Sequence, residues 1–254
     1  MQSNLRIDMK PTPMVLRIMV ANVVLWLLFG ILVNMAGQTG AAELYGALML
    51  APQEALTMVG SMNGVEVSFW PWQLATYAWL HDLLSPSHVL FNMLGLFFLG
   101  PTLERRWGGR SFLSFYLWSS IIAGALSLVL AWLLPSVFGF PVVGASGATM
   151  AILAAFSFVM PEATLLLFFV LPMQAKWLLW IAIVMDTMAF VSGSAIAWHT
   201  HMGGVLAAWL LITGNWRPRL ALDRLRLKTM KRRRKPGPKL TVLPGGRGDD
   251  QMLN

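Results

Sequence analysis

The sequence contains no cysteine, and only 12% of its 254 residues are charged. The absence of cysteine excludes a disulfide framework and any metal site built on thiolates. The scarcity of charge excludes an ordinary soluble domain, in which about a quarter of the residues are charged. With 57% hydrophobic residues and a mean hydropathy of +0.64, the composition is that of a membrane protein with several spans.

Long stretches without any charge locate the spans. Residues 18–42, 83–103 and 111–161 contain no Asp, Glu, Lys or Arg, and a helix needs roughly 20 apolar residues to cross a bilayer. The pattern predicts an all-α membrane protein with six spans, at 18–36, 83–103, 111–134, 144–161, 177–192 and about 195–214. We interpret the first span as a retained helix, because the N-terminus lacks the apolar core and cleavage site of a signal peptide.

Basic residues are missing from every second loop. Of the 19 Lys and Arg residues, three precede the first predicted span, three lie between the second and third, one lies between the fourth and fifth, and twelve follow the sixth. The positive-inside rule then predicts that both termini are cytoplasmic. The net charge of +8 is therefore mainly a signal of orientation, and we expect no nucleic-acid partner.

Three regions follow from these boundaries: a cytoplasmic leader at 1–17, a membrane domain at 18–216 and a basic tail at 217–254. The membrane domain includes a long outer loop at about 37–82. The outer loop is rich in Trp, Tyr and Leu; it either lies in the outer membrane interface or packs on the helix bundle. The tail carries a Lys-Arg cluster at 231–235, which predicts attraction to anionic lipid. Its Gly/Pro-rich remainder is predicted to be disordered.

A glycine-flanked serine and a histidine form the candidate catalytic pair. Ser146, between Gly144 and Gly147, lies at the outer end of the fourth span. The 15 residues from Ser146 to Met160 cover only about 22 Å of helix, so the serine is predicted to lie below the outer surface, in a water-filled depression. His201 lies at a matching depth in the sixth span and is the candidate general base.

Small residues on two helices favour His201 over its neighbour His199. Gly204 and Ala208 form a thin face on the side of His201, and the fourth span offers a similar face around Gly147. Such faces let helices pack closely. His199, two positions away, points in a different direction on a helix.

The other polar residues of the spans have alternative interpretations. His88 and Asn92 share one helix face at spacing i, i+4; they either stabilise an oxyanion together with the Ser146 amide or hold helices together by hydrogen bonds. Asp186 is expected near the middle of the fifth span, well below Ser146, as a protonated acid bonded to a neighbour. Glu104, Arg105 and Arg106 are expected to hold the inner loop in place.

These residues resemble the motifs of the rhomboid intramembrane serine proteases. The matching stretches run from His81 to Tyr116, from Gly144 to Ala148 (GASGA) and from His201 to Gly204 (HMGG). The combination H-x-x-x-N, E-R/K-R-x-G, G-x-S-G and H-x-x-G occurs in order and on the expected spans, and the resemblance covers about 80–215.

The resemblance implies a function and roles for individual residues. Ser146 would be the nucleophile and His201 the general base of a dyad without an aspartate. His88, Asn92 and the Ser146 amide would form the oxyanion hole, with Gly144 beside it. Structural roles would fall to Glu104, Arg106, Gly147 and Gly204.

The family also implies lateral access of the substrate between the second and fifth spans, with a cap formed by the loop before the sixth, where Ser192-Gly193-Ser194 stands here. Two departures are that Trp70-Pro71-Trp72 replaces the W-R pair of the first outer loop, and that Ala208 replaces a second glycine in the last helix.

The predicted function is that of a serine endopeptidase that cleaves transmembrane segments of other proteins and uses no cofactor or metal. The predicted location is a bacterial inner membrane. One alternative is a non-catalytic rhomboid-like protein that binds transmembrane clients. Another is a proton-coupled transporter with a relay of His88, His199, His201 and Asp186, which the absence of internal repeats disfavours.

Overall fold

The computed structural model of the protein describes residues 10–35, 39–51, 70–167, 170–194 and 196–213. Nearly all of the regular structure in these ranges is helical. The helices are α1 (Pro13–Met35), α2 (Thr39–Leu48), α3 (Gln73–Thr76), α4 (Pro86–Trp107), α5 (Gly109–Leu133), α6 (Pro135–Phe138), α7 (Ser146–Val159), α8 (Ala175–Val191) and α9 (Trp198–Thr213). A 3₁₀ turn at Tyr77–Trp79 follows α3, and a hairpin of β1 (Thr164–Leu167) and β2 (Leu171–Gln174) connects α7 to α8.

Apolar side chains cover the outside of the helices. Exposed examples are Val24 and Ile31 on α1, Trp118 and Trp132 on α5, and Met188 on α8. A continuous apolar exterior of this kind suits lipid and not water. Two of the described helices, α1 over Pro13–Val33 and α5 over Gly109–Leu133, are long and apolar enough to cross a membrane by length and composition.

The helix α7 lies at the centre of the bundle. It contacts α4, α5, α8 and α9, and its residues Ala148, Ala151, Ile152, Ala155 and Phe156 are almost completely buried. Alanine at three of these positions lets neighbouring backbones approach closely, which is how helices pack when lipid offers no hydrophobic driving force. The central position of α7 holds its first residue, Ser146, inside the bundle.

The start of α1 is fixed by a carboxylate from another helix. Glu104, near the end of α4, accepts hydrogen bonds from the Thr12 hydroxyl and from the backbone N–H groups of Met14 (3.0 Å) and Val15 (2.8 Å). These first-turn amides have no carbonyl partner within their own helix, and the carboxylate supplies one. The helix therefore begins at Pro13, five residues before the predicted span at 18–36.

The prediction of an all-α fold was wrong in the loop between α7 and α8. There, β1 and β2 pair antiparallel with Thr164 opposite Gln174 and Leu167 opposite Leu171. Pro161 cannot continue the helix, and pairing two short strands satisfies backbone groups that the connection would otherwise leave unpaired. An ion pair between Lys176 and Glu162 (2.7 Å) closes the exposed base of this hairpin.

The described parts of the outer loop pack on the helix bundle at some positions and are exposed at others. Tyr45, Leu50 and Tyr77 are buried, and Leu50 forms two backbone hydrogen bonds with Val142, just before Ser146 (3.0 and 2.8 Å). In contrast, Trp70 and Trp72 are half exposed and stack on each other with ring centroids 4.9 Å apart. Residues 52–69 of the loop and the predicted tail at 217–254 lie outside the described residues.

Candidate active site

A cavity of about 1280 Å³ opens beside the first turns of α7 and α9. It brings together side chains from the segment before α4, from α4 itself, and from α7, α8 and α9. The polar and titratable residues among those that line it are Tyr45, Asp82, Ser85, Ser87, His88, Asn92, Ser146, Thr149 and His201. Most of the remaining lining is apolar, so the cavity is a polar site enclosed by hydrophobic walls.

Ser146 is the first residue of α7, and Gly144 shapes the turn before it. Gly144 has φ +126°, a backbone conformation that side chains rarely adopt. A Cβ atom at this position would lie 2.6 Å from His88 Nε2 and 3.6 Å from Ser146 Oγ. The absence of a side chain at Gly144 therefore lets the His88 ring approach the serine, while the first amides of α7 point toward the same space.

The two histidines at the start of α9 have different surroundings. His201 is partly exposed and lines the cavity together with Ser146. His199 is fully buried between Phe138 and Phe140, at centroid distances of 5.0 and 5.2 Å. Among the described residues no hydrogen bond joins the Ser146 hydroxyl to His201; such bonds often tighten only with substrate bound.

Asn92 on α4 is connected to α7 through Thr149, which was not among the predicted site residues. The Thr149 hydroxyl donates to Asn92 Oδ1 (3.0 Å) and also lies 3.0 Å from the Ser146 carbonyl oxygen. Asn92 Nδ2 donates to the His88 carbonyl oxygen (3.0 Å). Asn92 therefore joins two helices by a hydrogen bond, and it also lines the cavity. Thr149 follows Ser146 by three residues, so the shared helix face was a signal that could have identified it.

A further histidine packs behind His88. The rings of His81 and His88 meet edge to face at 5.2 Å, and His81 is fully buried. Within the described residues neither ring nitrogen of His81 has a hydrogen-bond partner. Burial, and secondarily the neighbouring His88, lowers the pKa of His81 to about 3. His81 is therefore neutral at physiological pH and supports the ring that faces the serine.

The helices that carry Ser146 and His201 touch through their backbones. A Cβ atom on Gly204 would overlap the carbonyl oxygen of Gly147 and lie 3.1 Å from the Ala151 amide nitrogen. A Cβ atom on Gly147 would lie 3.1 Å from Thr200 Cγ2 and 3.0 Å from Ala123 Cβ. The small residues on α7 and α9 therefore meet as the sequence predicted, and α5 packs against the same point.

Asp186 occupies a different position from the one expected. Its Oδ1 atom lies 2.9 Å from His201 Nδ1, whereas the expected position was well below Ser146. Because α8 ends at Val191, Asp186 is only about 7.5 Å from the C-terminal end of its helix, and His201 is about 4.5 Å into α9. The error came from counting Asp186 to the middle of the span.

Of the residues predicted for the inner loop, Glu104 is buried and binds the start of α1, as described above, while Arg106 is exposed. The exposed residues Ser192 and Gly193 follow α8, with Gly193 at φ +81°. Among the described residues there is no cluster of three or more His, Asp or Glu side chains that could hold a metal ion.

Comparison with known proteins places the chain in a family. The family model described as the Rhomboid domain matches residues 69–217. The chain is 33% identical over 134 residues to "Rhomboid protein 1, mitochondrial" of Saccharomyces cerevisiae. The aligned segment covers 49% of the chain and 38% of that protein. It is 31% identical over 148 residues to "RHOMBOID-like protein 12, mitochondrial" of Arabidopsis thaliana, covering 53% of the chain and 44% of the relative.

The matched segments thus span less than half the length of either relative. The family match over residues 69–217 includes Ser146, His201, His88 and Asn92. With its apolar helices and a family match over more than half of its length, this chain is an integral membrane protein that belongs to the rhomboid family.

Proposed function

We propose that this chain is an intramembrane serine endopeptidase with Ser146 as nucleophile and His201 as general base. The observation that supports the proposal is the shared cavity, which Ser146, His201, His88 and Asn92 all line. His199, the rival base, is enclosed by two phenylalanine rings away from that cavity. Membership of the rhomboid family supports the same reaction class.

The reaction would proceed by acyl transfer. Ser146 Oγ attacks the scissile carbonyl carbon while His201 Nε2 takes the hydroxyl proton. His88, the Asn92 amide and the Ser146 backbone N–H donate hydrogen bonds to the oxyanion of the tetrahedral intermediate. The protonated His201 then gives its proton to the leaving amine, and a water molecule hydrolyses the acyl-enzyme with His201 again as base.

The proposed arrangement in the membrane has six spans, formed by α1, α4, α5, α7, α8 and α9, with both termini in the cytoplasm. Support comes from the confinement of Lys and Arg to the predicted inner segments. Ser146 and His201 then lie toward the outer side, and the cavity opens outward. The proposed substrates are transmembrane segments of other proteins, which unwind into the cavity; anionic lipid is the proposed partner of the basic tail.

Two other functions make different demands on these residues. A non-catalytic client-binding protein would need neither an activated serine nor a base beside it. A proton-coupled transporter is the second candidate function. The observation that favours it is the contact between Asp186 and His201, which a proton relay would use. However, a relay that includes His199 lacks support, because no hydrogen-bond partner reaches either ring nitrogen of His199 among the described residues.

Labelling with a fluorescent fluorophosphonate tests the proposal directly. Detergent-solubilised wild-type protein should react covalently at the activated serine, and both Ser146→Ala and His201→Ala should abolish labelling. A matched control is His199→Phe, which keeps an aromatic ring between Phe138 and Phe140 and should leave labelling largely intact.

Absence of labelling in folded wild-type protein would contradict the proposal and favour the non-catalytic or transporter alternative. Labelling that survives His201→Ala but is lost on changing His199 would assign the base to the other histidine. The bacterial inner membrane stays a prediction, since both relatives are described by name as mitochondrial; immunolocalisation in the source cell tests it.

A further inference from the structure

A carboxyl group from α8 contacts the proposed catalytic base at its ring nitrogen Nδ1. Asp186 Oδ1 lies 2.9 Å from His201 Nδ1, within the usual distance of a charge-assisted hydrogen bond. The contact joins two helices across 15 residues of sequence. Because an imidazole has two ring nitrogens, a partner at Nδ1 leaves Nε2 available for the serine proton.

The surroundings leave Asp186 with few other partners. Its side chain is only 9% exposed, and its second oxygen, Oδ2, has no hydrogen-bond partner among the described residues. The sequence contains no Lys or Arg between Lys176 and Arg217, so α9 and the part of α8 that follows Lys176 supply no permanent cation. An intramembrane acid of this kind is usually functional and needs a partner.

Polar and titratable side chains surround His201 on α4, α7, α8 and α9. Asp186 contacts it from α8, and His88 on α4 interacts with it electrostatically. Ser146 on α7 lines the same cavity, and His199 is the other titratable residue at the start of α9. Of these groups, Asp186 is the acid in the set, so it is the group able to balance a positive charge that develops on the ring.

We infer that Asp186 is a positioning residue for His201 in this chain and supports the proposed Ser146–His201 dyad from α8. The carboxylate accepts the Nδ1–H of His201, which selects the tautomer with a free lone pair on Nε2 and fixes the orientation of the ring. It also stabilises the imidazolium that forms when Ser146 loses its proton. The inference rests on the proposed function, because it assumes that His201 is the base.

A purely structural role for Asp186 predicts different behaviour, and an adjacent hydrogen bond provides the control. Trp198 Nε1 donates to Thr187 Oγ1 (2.9 Å), also joining α8 to α9, and the Trp198 ring stacks on Phe190. The variant Thr187→Val removes this bond while leaving His201 untouched. If Asp186 served only to hold the helices together, the two substitutions would have similar effects.

The test compares wild type, Asp186→Asn, Asp186→Ala and Thr187→Val by the pH dependence of the fluorophosphonate labelling rate, with thermal stability measured alongside. Asp186→Asn should lower the rate by about 100-fold or more, as expected when the tautomer is no longer selected. The acid limb of the pH–rate profile should move to lower pH, because the protonated ring has lost its carboxylate partner. Thr187→Val should keep the rate within about threefold, with the wild-type profile, because it leaves the His201 contact intact.

A second readout does not depend on activity. In histidine-labelled protein, ¹⁵N NMR distinguishes the Nδ1–H tautomer from the Nε2–H tautomer, and the His201 signal is assigned with His201→Ala. The Nδ1–H form should predominate in wild type and decrease in Asp186→Asn. Asp186→Ala gives the same comparison if the asparagine variant does not fold.

The outcomes separate the inference from the proposed function. If wild type does not label, the proposed protease function is wrong, and the NMR comparison alone decides whether Asp186 sets the tautomer. If wild type labels and folded Asp186→Asn labels at the same rate with the same pH profile, the inference is wrong. An equal loss of activity in Thr187→Val would also overturn it, because the effect would then come from helix contact.

Discussion

At the scale of single residues, the position of His88 depends on the missing side chain of Gly144. We predict that Gly144→Ala lowers the labelling rate by about 100-fold, the loss associated with displacing one oxyanion donor. The added methyl group would lie 2.6 Å from His88 Nε2, so the ring must move away from Ser146. The measurement is the rate of fluorophosphonate labelling at a single pH.

Gly193→Ala is the matched control. Gly193 also has a positive φ, +81°, but a Cβ atom there would meet nothing within 4 Å. Its substitution should cost about 1 kcal/mol of backbone strain without an effect on the labelling rate. Equal rates for Gly144→Ala and wild type would contradict the proposed role of His88.

The buried His81 makes stability depend on pH. The ordinary histidine pKa of about 6.5 applies in the unfolded chain, whereas burial lowers the pKa of His81 to about 3 in the folded protein. Between these values the unfolded state binds the additional proton, so stability decreases as the pH falls below 6.5 and is unaffected above it. From pH 6.5 to 5 the loss attributable to His81 is about 2 kcal/mol.

His81→Phe should remove this part of the pH dependence while keeping a ring beside His88. Thermal stability in detergent at pH 5, 6 and 7.5 measures the effect as the difference between the variant and wild type. Parallel curves for the two proteins would show that His81 does not titrate between the folded and unfolded states as expected.

At the scale of helices, the contact between α7 and α9 joins the nucleophile to the base. We predict that Gly204→Ala separates these helices, because its methyl group would overlap the Gly147 carbonyl oxygen. A forced repacking of this kind typically costs 1–3 kcal/mol, and it would also move His201 relative to Ser146. Both thermal stability and labelling rate should therefore decrease.

Gly30→Ala in α1 provides the comparison, because a Cβ atom there meets nothing within 4 Å. Replacing a helical glycine by alanine in open space stabilises by roughly 0.5–1 kcal/mol. Because both variants replace glycine by alanine, opposite effects on stability would show that the loss in Gly204→Ala comes from the contact between α7 and α9. A neutral Gly204→Ala would show that the interface has room to adjust.

Individual helices were predictable to within a few residues, and their errors have local causes. The first span was placed at 18–36, but Glu104 supplies partners for the amides of Met14 and Val15 and the helix begins at Pro13. The hairpin of β1 and β2 was missed because its strands are only four residues each. Both features arise from contacts between distant residues, which periodicity along one segment does not contain.

At the scale of the whole molecule, the proposed topology assigns each connection to one side of the membrane. Because the sequence contains no cysteine, single cysteines can be introduced without background. We predict that Ser136→Cys, at an exposed position of the short helix α6 that follows α5, reacts with a membrane-impermeant maleimide added to the outside of intact cells. Arg110→Cys, at the other end of α5, should react only after permeabilisation. The reverse pattern would invert the topology, and labelling of both from outside would contradict a spanning α5.

The candidate site was predictable in its chemistry and only partly in its geometry. Short motifs identified Ser146, His201, His88 and Asn92, and all four line one cavity. Two residues near the candidate site were not placed there from the sequence. Thr149 shares a helix face with Ser146 and was accessible to sequence reasoning. Asp186 was expected well below the site, because its approach to His201 depends on the end of α8 and on the packing of α8 against α9.

The contact between Gly204 and Gly147 also limits how the sequence can vary. The atom that excludes a side chain at position 204 is a backbone carbonyl oxygen, which every amino acid possesses. No replacement at position 147 can remove that oxygen, so a substitution at position 147 cannot compensate for one at position 204. In a saturation library selected for folding, glycine should be strongly enriched at position 204.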